Sequence, residues 1–228
     1  MSKIYIFGSN EQLKVENVYC IGKNYLEHIK EFDKSDVKSE VPGEPIIFLK
    51  PNTSVDCNAK SVTIPKYKGK GISNDLQNEV ELVIVIGKDG KNIDTEQAYD
   101  YILGYTVGID FTLRDVQSDF KKKGLPWTLS KGFSGAAPIS KILLKSDKLD
   151  PQNLSIKLTV NSSIKQDSNT KEMIFKIPYL VHYISSIFGL RKGDLIFTGT
   201  PAGVTRLNPG DKVKAEIEHI GELNILVE

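Results

Sequence analysis

Apolar and polar residues alternate along many short stretches of this chain, as expected for strands with one buried face. The stretch at 154–160 shows this most clearly, because Leu154, Ile156 and Leu158 are separated by polar residues. Glycine, asparagine and aspartate bound most of these stretches and favour turns there. The pattern predicts strands at residues 18–21, 46–49, 79–86, 103–109, 154–160, 195–198, 212–218 and 223–227.

Three other segments carry the signals of helices. One begins with Pro178 at a first-turn position and ends at Gly189, and its apolar residues recur every three or four positions. Another can be capped by Thr112 and stops at Gly124. We therefore predict helices at residues 24–32, 112–123 and 178–188, with loops at 33–44 and 67–78.

The order of the predicted elements sets the fold class and the domain count. Strands dominate and do not alternate regularly with helices, so we predict a β-rich α+β fold with mixed or antiparallel sheets. The chain has 228 residues, of which 39% are hydrophobic, enough for one substantial core. We expect a single catalytic domain over residues 1–228, in which residues 1–15 could form a short appendage.

Composition excludes several classes of partner. The net charge is +1, so no overall field attracts nucleic acid or an anionic membrane, and we expect neither as a partner. No stretch approaches the roughly 18 apolar residues of a membrane span, and no long apolar region opens the chain. The two cysteines are too few for a disulfide framework. These observations predict a cytoplasmic protein.

Acidic residues at two strand ends are the first candidate chemistry. Glu79 and Glu81 point to the same side of one predicted strand, and the apolar run behind them reads as buried. Two buried carboxylates repel each other unless a hard cation such as Mg²⁺ lies between them, although they could equally be solvated acids at an exposed strand end. Asp110 ends the next apolar strand, where it is either a metal ligand or, more commonly, a helix cap.

Two further pairs have the spacing of one helix face. Arg114 and Gln117 could bind an organic carboxylate, or could belong to a solvated helix face. His28 and Glu31 could form a general base with its orienting carboxylate, whereas an ordinary surface pair is the commoner arrangement. The other histidines, at 182 and 219, have positions typical of structural residues.

Two glycine-bearing loops and a basic run complete the candidates. The loops at 127–133 and 197–204 could present backbone N–H groups and Lys131 to a substrate, or could be plain turns. The basic run at 121–123 could contact a phosphate. We interpret it instead as cations at a helix C-terminus, where the helix dipole favours positive charge.

In chain order these features form a set of motifs that covers most of the sequence. They include Ile21-Gly22-Lys23-Asn24-Tyr25, His28 with Glu31, Phe48-Leu49-Lys50-Pro51, Glu79-Val80-Glu81-Leu82, Arg114-Asp115-Val116-Gln117, Lys123-Gly124-Leu125-Pro126-Trp127 and Thr198-Gly199-Thr200-Pro201. In this order the motifs resemble the fumarylacetoacetate hydrolase family, and in particular its single-domain acylpyruvate hydrolase and oxaloacetate decarboxylase members.

The resemblance implies a fold and a set of site residues. The fold would be a mixed β-sandwich roll, usually assembled as a homodimer. The metal, Mg²⁺ or Mn²⁺, would be bound by Glu79, Glu81 and Asp110. By the same resemblance the catalytic residues would be His28, Glu31 and Lys131, and the substrate contacts Lys131, Gln117, Thr200 and Arg114. Lys23 departs from the arginine more usual at its position, which replaces a planar fork with a point charge.

The resemblance also implies a substrate class, a short 2-oxo acid, and leaves the reaction open. Such a site could cleave the C–C bond of an acylpyruvate with water or decarboxylate oxaloacetate, in each case through an enolate stabilised by the metal. The alternative is an isomerase that interconverts the keto and enol forms of oxaloacetate. A non-catalytic module that binds metal or an organic acid is the third possibility.

Overall fold

A computed structural model describes residues 2–31 and 41–228. Its strands are β1 Lys3–Tyr5, β2 Gln12–Lys14, β3 Val18–Gly22, β4 Ile46–Lys50, β5 Val55–Asp56, β6 Ser61–Val62, β7 Lys66–Tyr67, β8 Lys70–Gly71, β9 Leu76–Gln77, β10 Val80–Ile86, β11 Ile102–Ile109, β12 Thr112–Leu113, β13 Ala137–Pro138, β14 Leu143–Leu144, β15 Ser155–Val160, β16 Ser163–Asn169, β17 Leu195–Phe197, β18 Arg206–Leu207, β19 Lys212–Ile217 and β20 Gly221–Val227. The α-helices are α1 Leu26–Glu31, α2 Arg114–Lys123, α3 Thr128–Lys131 and α4 Ile177–Ile187. Short 3₁₀ turns cover Asn52–Ser54, Thr95–Tyr101 and Thr170–Glu172.

Two larger sheets face each other and form the body of the protein. The first has the strand order β14-β11-β10-β17-β3-β4, in which β17 and β3 run parallel and the other neighbours antiparallel. The second has the order β16-β15-β19-β20-β6, in which only β20 and β6 run parallel. Contacts of β10 with β15 and of β11 with β19 and β20 bring the sheets together. The β-rich α+β fold with mixed sheets is therefore confirmed.

Alternation along β10 divides the core into two clusters. Leu82 and Ile84 point into the larger cluster, where they meet residues of the second sheet and of α4. Val83 and Val85 point to the other side, into a smaller cluster that also contains Ile4 of the β1–β2 hairpin. Because both faces of β10 are covered, every residue of the strand is buried. The acids at its start are thereby drawn into the interior.

The predicted strands all form, with ends within two residues of the expected positions. The predicted helices also form, over slightly shorter spans for α1 and α2, and residues 32–40 lie outside the described residues. Gly124 has φ 65° and ends α2 as expected. The expectation that Thr112 caps this helix is wrong, because Thr112 lies in β12 and pairs with Gln77.

The sequence pattern missed β16 and the short strands within 67–78. Strand β16 reads Ser-Ile-Lys-Gln-Asp-Ser-Asn and has no apolar alternation, because it is an edge strand whose outer face is solvated. A two-residue turn joins it to β15, with φ 49° at Asn161 and 68° at Ser162. The turn and the ladder with β15 therefore create this strand without an apolar face.

Among the described residues, no helix has the length and apolar character needed to cross a membrane.

Candidate metal centre and active site

The register of two neighbouring strands brings three carboxylates together. In the antiparallel ladder of β10 and β11, Val80 pairs with Ile109, so Glu79 and Asp110 stand opposite each other just beyond the strand ends. The backbone N–H of Asp110 donates to the carbonyl of Glu79 at 2.8 Å. Glu81 follows Glu79 by two residues on the same side, and one oxygen from each of the three residues lies within 4.8 Å of the others.

These carboxylates are buried, which excludes the solvated strand end as their setting. Glu79 is 5% exposed, Glu81 2% and Asp110 not at all. Burial raises the pKa of Glu81 well above its usual value, and the negative charges of Asp110 and Glu79 raise it further. Burial acts in the same direction on Glu79, but the positive charges of Lys131 and Arg114 outweigh it and hold the pKa of Glu79 far below its usual value.

Three cations surround the carboxylates. Lys131 Nζ donates to Glu79 Oε2 at 2.7 Å and to Asp110 Oδ2 at 2.8 Å. Burial alone would lower the pKa of Lys131, but these two carboxylates raise it above its ordinary value. Arg114 pairs with the other oxygen of Glu79, and Lys50 Nζ lies 2.7 Å from Asp110 Oδ1. Lys131 and Arg114 thus stabilise the ionised form of Glu79.

The donor set fits a hard divalent cation. It consists only of carboxylate oxygens, the ligands that Mg²⁺ and Mn²⁺ prefer. Asp110 Oδ1 is buried and accepts no hydrogen bond from the described residues, because Lys50 approaches it without hydrogen-bond geometry. Burial and the neighbouring carboxylates raise the pKa of Glu81, and a nearby double positive charge would stabilise its ionised form.

Helix α1 places the histidine–glutamate pair in the same cavity. His28 is 9% exposed, and its Nδ1 lies 3.3 Å from Glu31 Oε2, so the pair is not an ordinary surface pair. The backbone N–H of Gly203 donates to Glu31 Oε1 at 3.1 Å. Gly203 has φ 101°, and a Cβ there would lie 1.8 Å from the carbonyl oxygen of Lys165. Only glycine lets this loop approach closely enough to hold Glu31.

Arg114 and Gln117 share a face of α2, as predicted, and both line the cavity. Arg114 donates to Gln77 Oε1 at 2.8 Å and to Gln117 Oε1 at 2.6 Å, besides its pair with Glu79. Its guanidinium therefore organises the site. Gln117 is buried, and its amide nitrogen makes no hydrogen bond to the described residues, which suits it to donate to a substrate oxygen.

The loop after β17 continues along the edge of β10. The N–H of Gly199 donates to Glu81 Oε2 at 2.7 Å, and the Thr200 hydroxyl donates to the carbonyl of Val80 at 2.8 Å. Gln166 of β16 donates to the same hydroxyl oxygen at 2.8 Å. Thr200 lines the cavity, but its hydroxyl is held by the scaffold.

A cavity of about 230 Å³ joins these groups. Residues of the metal centre, of α1 and of α2 line one part of it, and Phe48 and Trp127 form an aromatic wall whose ring centroids are 5.7 Å apart. Lys23 and Lys121 also line it. The volume is below the roughly 300–1,000 Å³ of pockets that take drug-sized ligands, so it suits a small metabolite.

Several site residues were missed or misinterpreted from sequence. We interpreted Lys121 only as a cation at a helix end, but its side chain also lines the cavity. Lys50 closes a strand and belongs to one of the family motifs, but we predicted no role for it in the site. Gln166 belongs to the strand that has no apolar pattern. Of the two histidines interpreted as structural, His182 binds the carbonyl of Ile93 at 2.8 Å and the other is exposed at a turn.

Comparisons with known proteins agree with this geometry. The family described as fumarylacetoacetate (FAA) hydrolase C-terminal matches residues 17–228. A mitochondrial oxaloacetate tautomerase of Homo sapiens is 38% identical over 213 residues, which is 93% of this chain and 92% of that protein. A mitochondrial oxaloacetate decarboxylase of Dictyostelium discoideum is 44% identical over 201 residues, 88% of each chain.

A solved structure extends the likeness to three dimensions. Fumarylpyruvate hydrolase from Pseudomonas aeruginosa, in complex with Mn²⁺ and pyruvate, superposes with a TM-score of 0.90 and 34% identity over 99% of this chain and 95% of that one. The family match, the relatives and this structure all span nearly the whole chain. The protein therefore belongs to the fumarylacetoacetate hydrolase family.

Proposed function

We propose that this protein is a divalent-metal-dependent enzyme that forms the enolate of a short 2-oxo acid. The observation that carries the proposal is the buried triad of Glu79, Glu81 and Asp110 in one cavity with the His28–Glu31 pair. A structural metal site would not need a general base beside it, and a simple acid-binding module would not need three buried carboxylates. The relatives named for oxaloacetate or fumarylpyruvate chemistry support the same class of substrate.

Different residues of the cavity have different roles in the proposed reaction. Glu79, Glu81 and Asp110 would hold a Mg²⁺ or Mn²⁺ ion, which when bound would supply a Lewis acid for the 2-oxo group. Lys131 and the amide of Gln117 orient the substrate oxygens by hydrogen bonds. In the tautomer with the proton on Nδ1, His28 donates to Glu31 and uses Nε2 as the base. This base moves a proton at C3 of the substrate, while Gly203 holds Glu31 in place.

Among the reactions of such an enolate, we propose keto–enol interconversion of oxaloacetate first. The C3–H bond breaks, the electron pair moves into the C2 carbonyl, and the oxygen takes up a proton, so no bond between heavy atoms is lost. Similarity to the oxaloacetate tautomerase of Homo sapiens, which aligns with nearly the full chain, supports this proposal.

Cleavage is the second candidate, favoured by the Dictyostelium discoideum and Pseudomonas aeruginosa proteins. In decarboxylation the C3–C4 bond breaks, CO₂ leaves, and C3 takes a proton from His28 or water. In acylpyruvate hydrolysis, His28 activates a water that attacks the distal carbonyl before the C–C bond breaks. The homodimer and the cytoplasmic location stay predictions from the sequence.

One experiment tests the reaction and the metal together. Purified protein is stripped of metal, reloaded with Mg²⁺ and given the enol form of oxaloacetate. Loss of the enol is followed by ultraviolet absorption and pyruvate is measured separately. We expect enol loss that exceeds pyruvate formation and requires the metal. Equal rates of the two would favour decarboxylation, and full activity in the metal-free protein would refute the metal-dependent proposal.

The effect of Mg²⁺ on the melting temperature of two variants tests the metal site without measuring turnover. Glu81→Gln keeps the acceptor for the Gly199 N–H but removes a charged ligand. Mg²⁺ should raise the melting temperature of the wild type by mass action and should raise that of Glu81→Gln much less. Glu96→Gln, at an exposed acid outside the cavity, is the control and should respond like the wild type. An equal Mg²⁺ response in Glu81→Gln would contradict the assigned site.

A further inference from the structure

The cavity is lined by more cations than form ion pairs with its carboxylates. Among the residues that the structure describes, four cations line it, namely Lys23, Arg114, Lys121 and Lys131. Arg114 and Lys131 form ion pairs with Glu79. Lys23 and Lys121 form no ion pair with any described residue, so their charges face the cavity and the solvent at its mouth. A bound divalent cation would add to this excess.

An aromatic wall fixes the position of Lys121 relative to the metal centre. Lys131 Nζ lies 5.2 Å from the Phe48 ring centroid, and Lys121 Nζ lies 4.9 Å from the Trp127 ring centroid. The two rings contact each other at a centroid distance of 5.7 Å. A cation over an indole face is attracted by the ring and restricted in its motion. The wall thus runs from the lysine of the metal centre to a second lysine held at the other end.

The neighbours of Lys121 show that its position is specific. Lys122 is exposed and does not line the cavity, and Lys123 is exposed and pairs with Asp119 at 2.8 Å. Only Lys121 of this run reaches the aromatic wall. Much of its side chain is exposed, but burial of the ammonium group at the cavity rim, with the charges of Arg114 and Lys131 nearby, lowers its pKa to about 8.

We propose that Lys121, held against Trp127, binds the distal carboxylate of a dicarboxylic 2-oxo acid and so selects substrates with a second acid group. The inference rests on the proposed function, since the 2-oxo acid end is placed at the metal centre. A substrate bound there extends along the Phe48–Trp127 wall, and its far end meets an ammonium group. A carboxylate there gains a charge-assisted hydrogen bond, whereas a neutral end leaves the cation with water alone.

The test compares oxaloacetate with its 4-methyl ester, in which a methyl group removes the distal charge. Enol–keto conversion of both is measured with the Mg²⁺-loaded protein, for the wild type, Lys121→Met, Lys121→Arg and Lys122→Met. In Lys121→Met the ratio of kcat/KM for oxaloacetate to that for the ester should fall about 10- to 100-fold, as expected for loss of a hydrogen bond to a charged group. The fall should appear mainly in KM. Lys121→Arg should keep most of the preference, and Lys122→Met all of it.

A binding measurement accompanies the kinetics. Oxaloacetate should raise the melting temperature of the Mg²⁺-loaded wild type more than the ester does, and Lys121→Met should remove that difference. A wild type that converts both substrates, with a preference ratio unchanged in Lys121→Met, overturns the inference and leaves the proposed function intact. A Mg²⁺-loaded wild type that neither interconverts nor cleaves either substrate refutes the proposed function, and this assignment with it.

Discussion

Gln166 holds the strand of the metal ligands against the substrate loop, so its replacement should destabilise the protein measurably. Its Oε1 accepts from Asn78 Nδ2 and from the N–H of Val80, both at 3.0 Å. Its Nε2 donates to the Thr200 hydroxyl and to the carbonyl of Pro201, both at 2.8 Å. The side chain is fully buried, so all four hydrogen-bonding positions of the amide are used inside the protein.

The expected loss follows from the groups that Gln166→Leu leaves without partners. Leucine has nearly the same size but makes no hydrogen bond, so the Asn78 amide and the Val80 N–H each lose an acceptor. A buried donor without a partner costs about 1–3 kcal/mol. Burial of an apolar side chain in place of an amide offsets part of this. A net loss of about 2–4 kcal/mol corresponds to a fall in melting temperature of roughly 5–15 °C for a chain of this size.

Chemical denaturation and calorimetry of the metal-free protein measure this loss. The control is Gln12→Leu, the same substitution at an exposed position of β2, which should change stability by no more than about 0.5 kcal/mol. Gln166→Glu is a graded variant, because it keeps an acceptor oxygen for Asn78 and Val80 and loses the amide N–H groups that donate to Thr200 and Pro201. A Gln166→Leu protein as stable as Gln12→Leu would refute the reasoning, since it would mean that the four bonds add nothing over their replacement by water.

Three further predictions concern the active site. His28→Ala should reduce acylpyruvate hydrolysis by about 10²–10⁴-fold and oxaloacetate decarboxylation by less. Glu31→Gln should show the same selectivity more weakly. Equal loss of both activities in His28→Ala would assign His28 to a step that the two reactions share. Lys131→Met and Gln117→Leu should each lose kcat/KM equivalent to about 1–3 kcal/mol with Mg²⁺ binding retained, and unchanged kinetics in both would exclude them as substrate contacts. The preference for a dicarboxylic substrate should decline as the pH rises through about 8, because the Lys121 ammonium is present below its pKa and lost above it. The ratio of kcat/KM for oxaloacetate to that for the ester, measured from pH 6 to 10, should stay flat in Lys121→Arg, whose guanidinium stays charged.

Local periodicity was enough to find most of the fold. Strands β10, β11 and β15 follow their apolar patterns, and helices α2 and α4 follow their glycine and proline signals. Such patterns report the face that an element buries and where it ends, because these depend on neighbours within a few residues. They fail for β16, which depends on a turn and a partner strand. They also misplaced the start of α2, where Thr112 pairs with another strand.

Local spacing likewise predicted one part of the candidate site and could not predict another. The spacing of Glu79 and Glu81 already placed both carboxylates on one side of a strand, and the spacing of His28 and Glu31 placed them on one helix face. Whether either pair was buried remained open, because exposure depends on what packs against the element. The second sheet and the N-terminal hairpin cover the two faces of β10, while Lys131, Arg114 and Gly199 contact the two glutamates directly. Their burial therefore depends on packing between elements.

Patterns within single segments specify the alternating strands and most of the helix ends, and they give the order of the chemical groups along the chain. Tertiary structure alone decided which groups meet. Lys50 reaches the Lys131 carbonyl from 81 residues away, Gln166 reaches Asn78 from 88 residues away, and Lys121 faces the cavity while Lys122 does not. The physical reason is that side-chain periodicity encodes direction relative to one element only. Distances between elements depend on strand register, sheet order and packing, which no single segment contains.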